Sequence, residues 1–315
     1  MVRKPMFKRF FRRNEGANSY QSISHTPGRS LVLSPHSRGE RAERMNGVAE
    51  KKDTPMRDIS LPELLKSGVH FGHHVSRWHP KMKPFIFTSR SGVYIIDLEK
   101  TSECLKKAQT FVRDTVAKGG TVLFVGTKRQ ACPIIQASAV DAGMPYVIQR
   151  WLGGTFTNFP TITKMTKRLT HLKEERASGN LEKYTKKERL TFGEEIARLE
   201  KLVGGIERMT RIPDALFVVD VKQEKTAVRE AIAMKVPVVA LVDTNVNPAG
   251  IAYPIPSNDD ATKAIQVITE AIAEAVSEGS QVAQRTAAVN LETARTAAAQ
   301  AAAPTEPVVA KESIA

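Results

Sequence analysis

Apolar residues recur at alternating steps of three and four through the middle of this chain. Ile162, Met165, Leu169 and Leu172 fall on one face of a helix, and Phe192, Ile196, Leu199, Val203 and Ile206 repeat the spacing on a second. Both faces are narrow seams, which pair best with each other. Residues 177–180, Ala-Ser-Gly-Asn, supply a turn between them. The pattern over 156–209 therefore predicts an antiparallel helical hairpin, a two-helix coiled-coil arm spanning about 157–212 with its turn included. A second helix from about 185 to 209 would reach roughly 35–40 Å.

The flanking segments follow another pattern. Residues 121–125, 215–219 and 237–242 are continuous apolar runs, the mark of strands covered on both faces. Helical periods separate them, over about 101–118, 130–141 and 224–234, and a last helix spans about 259–276. A short strand at 146–148 precedes the arm. The fold class is α/β: a mainly parallel sheet flanked by helices, with the coiled-coil arm inserted, and 215–242 forming a right-handed βαβ unit. Ahead of this, Ser60 and Glu63 have capping-box spacing and Gly68 ends a short helix. Residues 85–88 and 92–96 read as a hairpin around Ser89, Arg90, Ser91 and Gly92.

Composition adds a partner. The chain has 315 residues, a net charge of +14 and a pI near 9.8. Such a balance favours a polyanion, because Lys and Arg release counterions from phosphate backbones. Basic residues outnumber acidic ones thirteen to eight between Lys164 and Arg211, and twelve to five in residues 1–55. That leader has no sustained periodicity and is expected to be disordered. It reads as a basic arm along nucleic acid, as an organelle transit peptide, or, the favoured reading, as an upstream extension of a chain that starts near Met45 or Met56. Residues 56–279 form the ordered domain, and 280–315 are expected to be a flexible Ala-rich tail. No apolar run reaches the roughly 18 to 20 residues needed to span a bilayer. The two cysteines, Cys104 and Cys132, lack Cys-x-x-Cys spacing and read as reduced core thiols.

Candidate chemistry lies at the predicted carboxyl ends of the strands, where ligands bind in doubly wound sheets. Gly126, Thr127, Lys128 and Arg129 follow one strand, and Asp220 and Asp243 follow two others. The turn lacks the full phosphate-loop spacing and suits RNA phosphate better than a nucleotide, while the aspartates suit turn caps or, in a phosphoryl-transfer enzyme, Mg²⁺. No nucleophile elbow, His-Glu-x-x-His helix or dinucleotide fingerprint is present. His70, His73 and His74, followed by His79, have the residue type for a metal but not the usual spacing, and RNA contact or packing is the better reading. No cofactor is expected. The loop from Arg150 through Trp151 and two glycines to Asn158 puts a cation, a flat ring and an amide at the mouth of the arm. Trp151 and Phe156 serve equally as a wedge against the sheet. Candidate RNA contacts are Lys81, Lys83, Arg90, Lys128, Arg129, Arg150, Trp151, Asn158, Lys164, Lys167 and Arg168.

Six stretches carry a resemblance: residues 64–73 (LLKSGVHFGH), 78–82 (WHPKM), 124–131 (FVGTKRQA), 150–155 (RWLGGT), 213–220 (PDALFVVD) and 253–260 (YPIPSNDD). In unbroken order over about residues 58–279, they resemble the bacterial form of the small ribosomal subunit protein two family. The resemblance implies a parallel-sheet α/β domain with a protruding coiled coil, bound to small-subunit rRNA on the solvent side between head and body. It also implies recruitment of the large mRNA-binding ribosomal protein one, contacts with neighbouring ribosomal proteins, and no enzymatic activity. It places RNA contact on Lys81, Lys83, Lys128, Arg129, Arg150 and the basic face of the arm. His79 stands where the family commonly has Asn, and Ser67 where it has Ala. Outside this resemblance, a nucleotide-binding or phosphoryl-transfer α/β enzyme is the alternative, and a protein scaffold built on the arm's seam is a third.

Overall fold

The computed structural model describes residues 58–301; the leader and the end of the Ala-rich segment lie outside the described residues. The chain opens with α1 (Leu61–Lys66), β1 (Phe71–His74), β2 (Ile86–Arg90) and β3 (Val93–Ile96). It continues through α2 (Leu98–Ala117), β4 (Val122–Val125), α3 (Cys132–Asp141) and β5 (Tyr146–Val147). Two helices follow, α4 (Phe159–Ala177) and α5 (Lys186–Val203), and then β6 (Ala215–Val218), α6 (Lys225–Ala233), β7 (Val238–Val242), β8 (Tyr253–Pro256) and α7 (Thr262–Ala301).

Five strands form a parallel sheet in the order β5-β4-β6-β7-β8, and β1-β3-β2 form a small antiparallel sheet. Every residue of β4, β6 and β7 is buried, because both faces are covered. Side chains alternate between two cores. Val122, Phe124, Phe217, Val239 and Leu241 pack with Leu105, Val112, Ile135, Ile268 and Ile272 of α2, α3 and α7. Leu123, Val125, Leu216, Val218 and Ala240 pack on the other face with α6, Met82 and the α4–α5 pair. The architecture is a parallel sheet flanked by helices on both sides.

The apolar seam of α4 and α5 is buried as the spacing predicts, through Ile162, Leu169, Leu172, Ile196, Leu199 and Val203. It is also continuous with the sheet's core, so the narrow stripes serve the domain as well as each other. Ion pairs join Arg168 to Glu195 and Lys173 to both Glu200 and Glu207. Glu195 and Glu200 lie on α5, whereas Glu207 follows the turn beyond it. The second helix is shorter than expected: regular α-helix ends at Val203 and a 3-10 turn covers Gly204–Ile206. The reason is a close backbone approach. A Cβ on Gly205 would lie 2.2 Å from the carbonyl oxygen of Tyr146, so only glycine passes edge strand β5 there.

Other boundaries shift for local reasons. The capping box expected at Ser60 is not made; no side-chain cap bond forms there, and Pro62 in the first turn sets the entry to α1 instead. Gly68 does end that helix, with φ +76° and the amide of Val69 bonded to Leu64 O. The complete capping box is at Thr185 and Glu188, opening α5. The last helix runs past the expected end near Val276, and its Ala-rich continuation is helical to Ala301. The hairpin of β2 and β3 forms as expected, turning at Ser91 and Gly92 with positive φ.

Candidate nucleic-acid interface

The carboxyl ends of the strands hold a closed electrostatic network. Lys128 Nζ lies 2.8 Å from Asp259 Oδ1, 2.6 Å from Asp260 Oδ1 and 3.5 Å from Asp220 Oδ2. Burial draws the ammonium's pKa down, but the hydrogen bonds to Asp259 and Asp260 outweigh it and hold the group firmly protonated. Asp259 is pushed up to about 6 by burial and by facing Asp243 and Asp220. Asp220 has φ +65°, and its Oδ1 accepts from the amides of Lys222 and Gln223, so this aspartate caps the turn after β6. Thr127 donates its amide and its hydroxyl to Glu224 Oε1, so both donors are taken by a carboxylate of the same chain. Lys128 is therefore engaged internally, while Arg129 beside it is exposed.

The histidines do not assemble into one group. His74 Nδ1 accepts from the amide of Ser76, and His70 packs on the ring of Phe71. Only His73 turns to the strand ends. Its Nδ1 lies 3.0 Å from Asp243 Oδ1, a hydrogen bond that raises its pKa against the opposing effect of burial. His73, Asp243 and Asp259 bring one nitrogen and two oxygens within 4.8 Å of one another, a donor set of the kind divalent cations accept. That set draws its carboxylates from the residue after β7 and the β8–α7 loop rather than from the histidine stretch.

Two bonds to Thr244 tie β1 and the segment entering the turn of Lys81 and Lys83 to this end of the sheet. Thr244 O accepts from His79 N at 2.8 Å, and Thr244 Oγ1 accepts from His73 N at 2.8 Å. Lys81 and Lys83 are exposed on the 3-10 turn Pro80–Phe85, and Arg90 is exposed at the end of β2. Trp78 packs against Tyr94 with ring centroids 5.3 Å apart.

The loop leading into α4 separates the candidates by burial. Trp151 is 8% exposed, edge-on to Phe156, and donates Nε1 to Glu230 Oε1 at 3.2 Å. Trp151 is thus packed as the wedge reading expects. Arg150 and Asn158, at either end of the loop, are exposed. On α4, Lys164 and Lys167 are exposed and make no ion pair among the described residues, whereas Arg168 pairs with Glu195. A further basic region was not legible in the sequence. At the amino ends of the strands, Lys106, Lys107, Lys118 and Arg211 line a cleft of about 720 Å³ beside the stacked rings of Phe111 and Tyr253. These residues come together from α2, β8 and the segment before β6, which no local motif announces.

Comparison with known proteins agrees with the motif series. The family model described as Ribosomal protein S2 matches residues 64–279. The chain is 52% identical over 222 residues to "Small ribosomal subunit protein uS2" of Acidothermus cellulolyticus, covering 70% of this chain and 81% of that protein. It is 51% identical over 223 residues to the protein of the same name from Nocardia farcinica, covering 71% and 78%. The counterpart in Mycobacterium leprae is 51% identical over 224 residues, covering 71% and 81%. On a family match that takes in both the sheet and the α4–α5 pair, together with bacterial relatives at about half identity, the chain belongs to the bacterial Ribosomal protein S2 family.

Proposed function

We propose that the sheet acts as a mount and that the exposed cations of the α4–α5 pair and of the turn at residues 80–90 hold small-subunit rRNA by its phosphates. As a member of its family, the chain is a structural component of the small ribosomal subunit that binds rRNA in the translation machinery, not an enzyme. One observation carries the finer reading: Lys164 and Lys167 are exposed and make no ion pair among the described residues, while Lys128 is held by three carboxylates of its own domain. Exposed lysines of this kind gain most from phosphate contact, because no internal partner is given up.

We read α4 and α5 as the two strands of a coiled-coil arm. The seam spacing and the capping box at Thr185 support this reading. Lys81, Lys83, Arg90, Arg129, Arg150 and Asn158 are the further contacts proposed, all on exposed positions. Recruitment of the large mRNA-binding ribosomal protein one is supported by the small sheet, where Phe71 is 51% and Phe87 75% exposed. Neighbouring small-subunit proteins complete the partner set. The proposed location is the cytoplasmic ribosome, with organelle import if the leader is a transit peptide; no described helix is long and apolar enough to cross a membrane.

Crosslinking of intact small subunits containing this chain tests the assignment. RNA crosslinks at residues 164–168 and 81–90 are expected. Crosslinks from α4 to protein alone would overturn it in favour of a protein scaffold.

A further inference from the structure

Glu230 stands on α6, far in sequence from the loop that launches α4, yet that loop is built around its carboxylate. Oε1 accepts from Trp151 Nε1 at 3.2 Å and from the amide of Gly154 at 2.8 Å. Oε2 accepts from the amides of Phe156 at 3.0 Å and Thr157 at 3.3 Å, and from the Thr157 hydroxyl at 3.4 Å. A carboxylate offers about four lone-pair positions, and this one turns all of them to a single loop. Glu230 is 8% exposed, so these bonds form largely out of water, where an unmade one is costly. Burial pushes its pKa up, but the amides of Gly154, Phe156 and Thr157 and the Trp151 indole more than reverse this and hold it below the usual carboxylate range.

Apart from the buried rings of Trp151 and Phe156 and the turn bonds to Leu152 O and Gly154 O, Glu230 is the main polar partner of this loop. Gly154 has φ +90°, a conformation that costs L side chains, and Asn158 forms no side-chain cap at the start of α4. Thr157 lies two residues before Phe159, the first residue of that helix, so the bonds to Glu230 reach almost to its first turn. Helix α4 carries Lys164 and Lys167, and the loop itself carries Arg150 and Asn158 on exposed positions. At the pair's other root, Gly205 passes the carbonyl of Tyr146 by close backbone contact. Beyond the apolar seam it shares with the sheet, the pair thus has one anchor of shape and one of charge at its two roots.

We propose that Glu230 is a positioning residue for RNA binding: by clamping residues 151–157 it sets the direction in which the α4–α5 pair leaves the sheet and so presents the pair's cations to rRNA in one arrangement. This rests on the reading of the pair as an rRNA grip. Preorganisation of that kind raises affinity by removing the ordering cost that a loose element must meet on binding.

The test uses the full chain with Cys104→Ala and Cys132→Ser, spin-labelled at Asn180→Cys near the turn of the pair and Glu103→Cys on α2. Electron-spin distance measurements are compared with affinity for a small-subunit rRNA transcript, in Glu230, E230Q and E230D. The unaltered residue should give one narrow distance distribution. E230Q should broaden or shift it and weaken RNA binding roughly ten-fold, with E230D intermediate. Unchanged distances in E230Q overturn the clamp, and a K164E/K167E variant that still binds weakly would leave the rRNA reading standing. Broadened distances with RNA affinity intact in both E230Q and K164E/K167E overturn the grip itself and the consequence drawn from it. If E230Q does not fold, hydrogen exchange in the unmodified chain decides. The amides of Gly154, Phe156 and Thr157 should exchange slowly together and be released together by acid; exchange at exposed-loop rates overturns the proposal.

Discussion

Lys128 and the pair Lys164 and Lys167 occupy positions from which a basic side chain commonly meets phosphate, one at the end of a parallel strand and the others along a basic helix. Their surroundings divide them. Lys128 is ringed by Asp220, Asp259 and Asp260 at 2.6–3.5 Å, whereas Lys164 and Lys167 face solvent without an ion pair among the described residues. The same residue type therefore stands in two settings: among carboxylates of its own chain, two of them buried, and open to solvent. A cation's neighbours, more than its place in a motif, decide which.

The sharpest way to break this contrast is to remove the internal cation. K128M leaves carboxylates at the strand ends without their counterion, and loss of one partner from such a network costs about 3 kcal/mol or more. Urea unfolding should show that loss, while the folded fraction keeps its RNA affinity. A stability unchanged by K128M would mean that the network is too wet to matter. The K164E/K167E variant should do the reverse. Its unfolding free energy should stay within about 1 kcal/mol of the parent, since exposed charges contribute little to stability, while binding to a small-subunit rRNA transcript weakens at low salt.

A third prediction concerns the carboxylate counterpart of these lysines. Glu230 has a folded-state pKa below its unfolded value, so its contribution to stability is present above about pH 4.5 and is lost as the pH falls through the lowered value. Thermal melts across pH 7 to 3 should show an acid-side decline that E230Q flattens. A parallel decline in both would show that other carboxylates dominate. The smallest expected effects separate two sequence signals that look alike. T185A should cost about 1 kcal/mol because it breaks a formed capping box, whereas S60A should cost less than about 0.5 because Ser60 makes no cap bond.

What the sequence revealed follows the range of the interactions involved. Strands β4, β6 and β7 were legible because burial on both faces leaves an unbroken apolar run. Strand β8 was not: Tyr253–Pro256 contains two prolines, which read as loop, and they are tolerated because β8 is the edge of its sheet. Strand β1 is four residues long with two histidines and no alternation, and only its pairing with β3 makes it a strand. The site follows the same logic. Lys128 was visible as a cation, but Asp259, 131 residues away, was not visible as its partner. Glu230 lies 76 residues from Gly154 and went unnoticed, although the Trp and Gly pair it organises stood out. Exposed cations at helical spacing were easier to place, because a solvated face depends only on the helix that carries it.

The central claim is that rRNA is held by the exposed cations of the helix pair and not by the strand-end cluster. The most direct test is the salt dependence of binding to a small-subunit rRNA transcript for the parent chain, K164M/K167M and K128M. Each lost phosphate contact should lower the slope of log affinity against log salt by roughly 0.7–0.9. The account predicts a fall of about 1.4–1.8 for K164M/K167M and an unchanged slope for folded K128M. A slope untouched by the first variant and reduced by the second would contradict it.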